Sequence, residues 1–253
     1  MNYKEILDVQ RSIDGMMMEV SAATWCVLLG AQQATWNWHG LQPGDYLEIG
    51  TYKGKSASIL ASFCALHGNK LTIVDPEVRG DARRSLDKIL PGIRYLEIPS
   101  ERLRYGDFHK NNIRSLAFAH IDGMHSFAAV SQDIQLCEEM IGEYGILCVD
   151  DFHTELYPQV TASVYNHLYT TTADLVIFLL GFNKVYLCRN SAKEYFYSFV
   201  ERELVESLGA LGHKISLVKN DSNEKFDGLA MAPFQGESYF GNRFRFKQLI
   251  RTD

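Results

Sequence analysis

The sequence lacks the features of disulfide-built, zinc-binding and membrane-spanning proteins. Only five of its 253 residues are cysteines and none forms a C-x-x-C pair, so neither a disulfide framework nor a cysteine zinc site is indicated. Most of the cysteines lie in apolar periodic segments, which favours buried free thiols in a reducing cytosol. No apolar run approaches the roughly 20 residues of a membrane helix. The charged residues 1–20 are not typical of a signal peptide either, so a cytoplasmic protein is expected.

An excess of positive charge is also missing. The net charge is -6, so no overall field attracts nucleic acid or an anionic membrane. Residues 241–247 interleave basic and aromatic side chains as some single-strand binders do, but in an acidic chain such a stretch is more typical of an edge strand or a subunit contact. The sequence contains no repeat or low-complexity segment, and its length suits one large α/β domain with appended helices.

Strands alternate with helices through most of the chain, which predicts βαβ units and a mostly parallel sheet. Apolar spacing predicts helical structure over residues 3–37. Beyond residue 209 the chain is predicted to be irregular. The remaining predicted strands span residues 45–50, 71–75, 93–98, 116–122 and 146–150. The predicted helices span residues 55–67, 81–90, 127–141 and 192–208, and a hairpin joins residues 175–180 to 185–188 as an antiparallel pair at the sheet edge.

A glycine-containing loop, Glu48-Ile-Gly-Thr-Tyr-Lys-Gly-Lys-Ser56, follows the first strand. Glycine lets a ligand approach main-chain amides at the start of the next helix. A dinucleotide motif would need glycines at positions 52 and 55, and a P-loop would need one earlier glycine, so both patterns fail. The second strand ends at Asp75, where a carboxylate can accept hydrogen bonds from ribose hydroxyls. The loop and Asp75 favour a nucleoside ligand. The alternatives are that the loop is a plain structural turn and that Asp75 is a helix N-cap.

Three further acids follow two other predicted strands. Asp122 ends one strand, and Asp150 and Asp151 end the next. On neighbouring strands about 4.8 Å apart, such carboxylates converge, and a divalent ion would relieve their repulsion. Oxygen ligands suit Mg²⁺, with Mn²⁺ or Ca²⁺ as substitutes. The alternative is that Asp122 and Asp151 cap the following helices.

These motifs together resemble a known group of enzymes. Residues 47–56 are similar to motif I of metal-dependent O-methyltransferases. Residues 121–126, together with residues 149–152, resemble the Methyltransferase-24 group, which includes macrocin-type macrolide-sugar and aminocoumarin-sugar O-methyltransferases, and more distantly catechol O-methyltransferase. The resemblance covers about residues 44–190. It implies a Rossmann-like class I methyltransferase fold, with a mostly parallel seven-stranded sheet, an antiparallel edge hairpin and helices on both faces.

The resemblance also implies a role for each candidate residue. His125 matches the catalytic lysine of the catechol enzymes and is the expected general base with Asp122, since imidazole titrates near neutrality; a histidine bonded to backbone at a helix start is the alternative. His153 is a weaker candidate, and His120 is expected to be a core histidine. Expected S-adenosylmethionine contacts are Glu48, Gly50, Thr51, Gly54, Ser56, Asp75, Ser100 and Asp122, with Glu101 beside the adenine. Expected metal ligands are Asp122, Asp150 and Asp151.

The resulting hypothesis is an S-adenosylmethionine-dependent, Mg²⁺-dependent O-methyltransferase acting on a hydroxyl of a small molecule or sugar, in a natural product or glycan. A metal-independent methyltransferase, a nicotinamide oxidoreductase and a non-catalytic nucleoside-binding scaffold are the alternatives. Residues 41–190 would form the methyltransferase core and residues 191–253 a C-terminal helix and tail. Residues 1–40 would cap the substrate pocket or pair subunits of a homo-oligomer. Neither nucleic acid nor membrane is expected as a partner.

Overall fold

The computed structural model describes residues 1–170, 174–219, 228–234, 238–239 and 242–243. Nine strands form one sheet in these residues, and two short strands form a separate ribbon. The sheet strands are β1 (Asp45–Ile49), β2 (Leu71–Val74), β3 (Arg94–Leu96), β4 (Leu116–Ile121), β5 (Ile141–Val149), β6 (Leu175–Gly181), β7 (Lys184–Arg189), β8 (Ile215–Lys219) and β9 (Leu229–Pro233). The ribbon pairs β10 (Ser238–Tyr239) with β11 (Asn242–Arg243).

The strand order in the sheet is β3-β2-β1-β4-β5-β7-β6-β9-β8. The first five strands run parallel, with β1 between β2 and β4. Strand β7 pairs antiparallel with both β5 and β6, as the predicted hairpin requires. Because the parallel strands all end at one edge, the loops after β1, β2, β4 and β5 meet there.

Helices cover both faces of the sheet. Their bounds are α1 (Tyr3–Arg11), α2 (Glu19–His39), α3 (Lys55–His67), α4 (Gly80–Ile89), α5 (Tyr105–Lys110), α6 (Phe127–Met140), α7 (Pro158–Thr170), α8 (Lys193–Phe199) and α9 (Val205–Ala210). One buried apolar cluster joins α1, α2, α3 and α8 to the sheet, and a second joins α6 and α7 to it. Successive strand residues such as Tyr46 and Leu47 enter different clusters, because side chains alternate across a strand.

The mostly parallel α/β fold with an antiparallel hairpin is confirmed, but several details differ from the sequence-based expectation. The sheet has nine strands instead of seven, because the tail that we expected to be irregular supplies β8 and β9 beyond the hairpin. The helix predicted over residues 3–37 is divided by a non-helical segment, residues 12–18, into α1 and α2. Helices α5 and α7 were not predicted. Of the basic and aromatic stretch 241–247, only residues 242–243 are described.

Two expectations from composition can be compared with the fold. All five cysteines are buried and free, as their apolar surroundings indicated. Within the described residues, no helix has the length and apolar character needed to span a bilayer.

Candidate active site

A cavity of about 850 Å³ opens where β1, β2 and β4 end. Its walls are residues 49–52, 74–77, 99–102 and 122–124, together with Arg79. Four of the expected S-adenosylmethionine contacts besides Asp122 therefore face one space: Gly50, Thr51, Asp75 and Ser100. This is the position beyond the strand ends at which ligands bind in open α/β sheets.

Gly50 brings the glycine loop into direct contact with the end of β4. Its φ is +83°, and a Cβ atom added to it would lie 2.0 Å from the carbonyl oxygen of Asp122. The next residue, Thr51, donates its backbone N–H to Asp75 Oδ2 at 2.9 Å. Asp75 Oδ1 accepts the backbone N–H of Glu77, also at 2.9 Å. The loop and the carboxylate at the end of β2 thus fix each other at the cavity wall.

The other predicted loop residues support the cavity without lining it. Glu48 is fully buried beneath the loop, where it accepts hydrogen bonds from Thr51 Oγ1 at 3.2 Å and from His120 Nδ1 at 3.0 Å. Gly54 caps α3 with a φ of +83°, and Ser56 lies in the first turn of that helix. Glu48 therefore supports the loop from below, whereas Gly54 and Ser56 belong to the start of the helix that follows it.

Ser100 is held in the cavity wall by two residues of α6. Its Oγ donates to Asp133 Oδ2 at 3.0 Å, and its carbonyl oxygen accepts from Gln132 Nε2, also at 3.0 Å. Asp133 is fully buried, and this burial raises its pKa to about 7 although the Ser100 hydrogen bond acts in the opposite direction. Asp133 was not among the predicted site residues, because nothing in its helical context indicates that it faces Ser100.

The three strand-end acids lie next to one another, as the neighbouring strands predict. One oxygen of Asp122 lies within 4.8 Å of an oxygen of Asp150 and of a His120 ring nitrogen. Asp122 also offers an oxygen within 4.8 Å of both Asp151 and His125. Asp122 therefore stands between the two other acids, and it lines the cavity as well.

Asp150 is compensated by two buried cationic groups. Lys184, only 4% exposed, forms an ion pair with Asp150 Oδ2, and His120 Nε2 lies 3.4 Å from the same oxygen. Burial alone would raise the pKa of Asp150, but Lys184 and His120 outweigh it and hold that pKa well below its usual range. Burial would likewise lower the pKa of His120, yet the carboxylates of Asp150 and Glu48 raise it to about 9.

His125 lies at the more exposed side of the cluster. Its Nε2 is 2.9 Å from Asp151 Oδ2 and 3.5 Å from Asp122 Oδ1. The ring stacks on Tyr157 with a centroid separation of 4.0 Å. Asp122 and then Asp151 raise the pKa of His125 to about 9. The two acids and Tyr157 thus fix the direction in which the imidazole points.

His153, the weaker candidate, faces a different neighbour. Its Nε2 lies 3.2 Å from the Tyr165 hydroxyl of α7, and its ring stacks on Phe152. Burial lowers its pKa. These contacts fix His153 against α7.

The β6–β7 hairpin supplies two residues that were not predicted from the sequence. Asn183 donates from Nδ2 to Asp151 Oδ1 at 2.6 Å, and its carbonyl oxygen accepts the backbone N–H of Phe152 at 3.1 Å. Lys184, the next residue, reaches Asp150. Lys184 could have been identified from the sequence, because it is a lysine at the start of an apolar strand and a buried ammonium group requires a charged partner.

The comparison with protein families agrees with this geometry. Residues 47–152 match the Methyltransferase-24 family, described as a methyltransferase domain. The match includes the glycine loop, Asp75 and the strand-end acids. The chain is similar to this methyltransferase family over residues 47–152, which is less than half of its length. No curated protein sequence matches the chain significantly.

Solved structures show the same fold. CalS11, a TDP-rhamnose 3'-O-methyltransferase of calicheamicin biosynthesis, superimposes with a TM-score of 0.50 and 14% identity, covering 64% of this chain and 77% of CalS11. PaMTH1 from Podospora anserina, solved with SAH, has a TM-score of 0.50 and 12% identity, covering 74% and 87% of the two chains. Cofactor-bound Rv0187 from MTB has a TM-score of 0.51 and 12% identity, covering 74% of this chain and 88% of Rv0187. At these identities the similarity establishes the fold.

Proposed function

We propose that the protein transfers the methyl group of S-adenosylmethionine to a hydroxyl of a small molecule or sugar, with a divalent cation at the strand-end acids. The observation that carries the proposal is the position of Asp122. This residue lines the cavity beside Gly50 and Asp75 and also belongs to the acid cluster. A methyl donor in the cavity and an acceptor at the acids would therefore meet at one carboxylate.

The cavity fits a nucleoside-type methyl donor. Gly50 exposes main chain at the loop, Asp75 offers carboxylate oxygens suited to ribose hydroxyls, and Ser100 offers a fixed polar group at the far wall. Bound S-adenosylmethionine supplies an electrophilic methyl group. The residues of this chain would contribute mainly by holding donor and acceptor at short range.

The acid cluster fits a cation of the Mg²⁺ type. Lys184 and His120 contact Asp150, whereas Asp122, which lines the cavity, shares His125 with Asp151. Carboxylate oxygens are the donors that Mg²⁺ prefers. When bound, Mg²⁺ would supply positive charge that favours the ionised form of an acceptor hydroxyl.

His125 is the proposed proton acceptor when a divalent cation is bound, because the cation would offset the charges of Asp122 and Asp151 that otherwise raise the pKa of His125 to about 9. It is partly exposed and oriented by Asp122 and Asp151, so an acceptor hydroxyl beside these acids would lie next to its ring. General bases placed in this way contribute about 10²–10⁴-fold to a rate. Acceptors with hydroxyls on neighbouring carbons would suit a cation held by the paired acids, because both oxygens can bind one ion. A sugar is the acceptor class of CalS11.

Product formation tests the proposal directly. Purified protein would be incubated with methyl-labelled S-adenosylmethionine and a panel of sugar diols and catechols, in Mg²⁺ or in EDTA. We expect labelled product in Mg²⁺, its loss in EDTA and its recovery on adding Mg²⁺. Full turnover in EDTA would contradict the metal requirement, and tight NADH binding without S-adenosylmethionine binding would contradict the whole proposal.

A matched pair of histidine variants tests the proposed base. His125→Asn should lower kcat by about 10²-fold or more, because a general base is lost. His153→Asn should retain most of the activity, because His153 contacts Tyr165 and Phe152 instead of the acid cluster. Equal losses in the two variants would argue against His125 as the base.

A further inference from the structure

Lys184 gives the acid cluster a cation of its own. It is the first residue of β7, its side chain is 4% exposed, and its ammonium group contacts Asp150 Oδ2. His120 Nε2 lies 3.4 Å from that same oxygen. The other oxygen, Oδ1, accepts the backbone N–H of Asp151 at 2.8 Å. Both oxygens of Asp150 therefore already have partners within the protein.

Asp122 and Asp151 differ from Asp150 in the kind of partner they have. The partners of Asp151 are a neutral amide, Asn183 at Oδ1, and a partly exposed imidazole, His125 at Oδ2, instead of a buried ammonium group. The side chains of Asp122 and Asp151 are 34% and 20% exposed, against 15% for Asp150. An oxygen of each lies within 4.8 Å of the other, and both approach the same nitrogen of His125. These two carboxylates thus present oxygens to the space that an incoming cation would reach from solvent.

The hairpin turn produces this division of the acids. Asn183 donates to Asp151 Oδ1 and leaves Oδ2 on the His125 side. Lys184, which is 4% exposed, contacts Asp150 Oδ2. Asn183 precedes β7 and Lys184 begins it, so two neighbouring residues hold the neighbouring acids Asp151 and Asp150, one through an amide and the other through an ammonium group.

We infer that Lys184 is the resident cation of the cluster and compensates Asp150, which leaves an exchangeable divalent cation to Asp122 and Asp151. The inference rests on the proposed function, since it concerns the cation proposed there. A divalent ion that shared an Asp150 oxygen with the Lys184 ammonium would be repelled at very short range in a poorly screened interior. Asp150 is accordingly a positioning residue, and its neighbour Asp151 is a ligand.

Adjacent isosteric variants separate the two acids. The full-length protein would be titrated with Mn²⁺ and free Mn²⁺ followed by electron paramagnetic resonance, so that no turnover is needed. We expect Asp122→Asn and Asp151→Asn to weaken Mn²⁺ binding by about 10-fold or more, as loss of a charged ligand predicts. The paired variant Asp150→Asn/Lys184→Met removes both charges of the ion pair together and should bind Mn²⁺ within about threefold of the wild type, because the charge facing the cation is unchanged.

Chemical denaturation of the metal-free variants provides a second measurement. Asp150→Asn alone leaves the buried Lys184 ammonium without its carboxylate, and Lys184→Met alone leaves Asp150 with His120 but without its ammonium partner. Both variants should therefore unfold at lower urea concentration than the wild type. The double variant should recover most of the loss. Additive losses would overturn the pairing of Lys184 with Asp150.

The possible Mn²⁺ results distinguish this inference from the function on which it rests. If the double variant loses Mn²⁺ as severely as Asp151→Asn, Asp150 is a ligand and the inference is overturned while the proposed function stands. If the wild type itself fails to bind Mn²⁺, the metal-dependent form of the proposed function falls, and the ligand assignment falls with it.

Discussion

At the scale of single residues, Gly50 is where a missing side chain allows two strand ends to touch. A Cβ atom at this position would lie 2.0 Å from the Asp122 carbonyl oxygen and 2.6 Å from its carbon, and the φ of +83° is itself unfavourable for other residues. Any side chain must therefore push the loop away from β4. The contact places the glycine loop of the cavity directly against Asp122 at the end of β4.

Gly50→Ala should destabilise the protein and weaken binding of S-adenosylhomocysteine, because it combines backbone strain with a collision. Gly68→Ala is the matched control: its φ is +79°, but an added Cβ would meet nothing within 4 Å. Strain alone should cost about 1–2 kcal/mol, so Gly50→Ala should cost clearly more in urea unfolding. Equal losses in the two variants, with unchanged ligand binding by calorimetry, would contradict the steric argument.

The buried carboxyl group of Asp133, behind the cavity wall, makes the stability of the protein depend on pH. Its pKa is about 7 in the folded protein, chiefly because of burial, against 3.8 for an ordinary aspartate. The folded state therefore binds this proton more tightly than the unfolded state does. The associated stability is fully present below pH 3.8 and is lost as the pH rises through about 7. At about 1.36 kcal/mol per pKa unit, the loss amounts to at most about 4 kcal/mol.

Asp133→Asn should remove this contribution while keeping an oxygen that can accept the Ser100 hydrogen bond. Urea unfolding at pH 5 and pH 8 should show the variant gaining more stability relative to the wild type at pH 8 than at pH 5, because the loss grows between pH 3.8 and about pH 7. Ser100→Ala serves as the companion variant. Because the Ser100 hydrogen bond lowers the pKa of Asp133, removing the hydroxyl should raise that pKa further, so that the loss of stability continues to higher pH. Parallel pH profiles for wild type and Asp133→Asn would refute the assignment.

At the scale of secondary structure, elements with a regular apolar period were predictable. The expected bounds of α3, residues 55–67, agree with the structure, because left-handed glycines stand at both ends of the helix. The break between α1 and α2 was missed, since apolar spacing continues on both sides of it. Strands β8 and β9 have five residues each, like β1, but they were missed. Strand β9 contains two alanines and a proline, which have low strand propensity, and β8 follows the strongly charged α8 and α9 region.

The acid cluster could be predicted only in part, for reasons of distance along the chain. Asp122 and Asp150 follow apolar strands, so their common edge is visible in the sequence. Lys184 contacts Asp150 across 34 residues, and Asp133 contacts Ser100 across 33. Those pairings depend on which strand adjoins which and on helix rotation. Sequence periodicity fixes neither, so the two buried partners emerge only from the fold.

At the scale of the whole molecule, the cavity belongs only to the folded chain. Its walls come from four loops spread over residues 49–124, and the unfolded chain does not hold them together. A ligand that binds only the folded state stabilises it in proportion to the logarithm of its concentration over Kd. The stability of the whole protein should therefore report cofactor binding even when no acceptor is known.

S-adenosylhomocysteine at about 100 times its Kd should stabilise the fold by about 2.7 kcal/mol, which corresponds to a Tm increase of about 5–10 °C for a domain of this size. Differential scanning fluorimetry would measure the shift, with NADH as a ligand expected to give none. Asp75→Asn should reduce the shift at the same ligand concentration, because a hydrogen bond to a charged acceptor contributes about 1.5–3 kcal/mol. Asp8→Asn, which removes a carboxylate paired with Arg11 on α1, away from the cavity, should retain it. A shift that Asp75→Asn leaves intact would mean that the nucleoside does not use the carboxylate at the end of β2, and the ribose assignment would then have to be abandoned even if methyl transfer were observed.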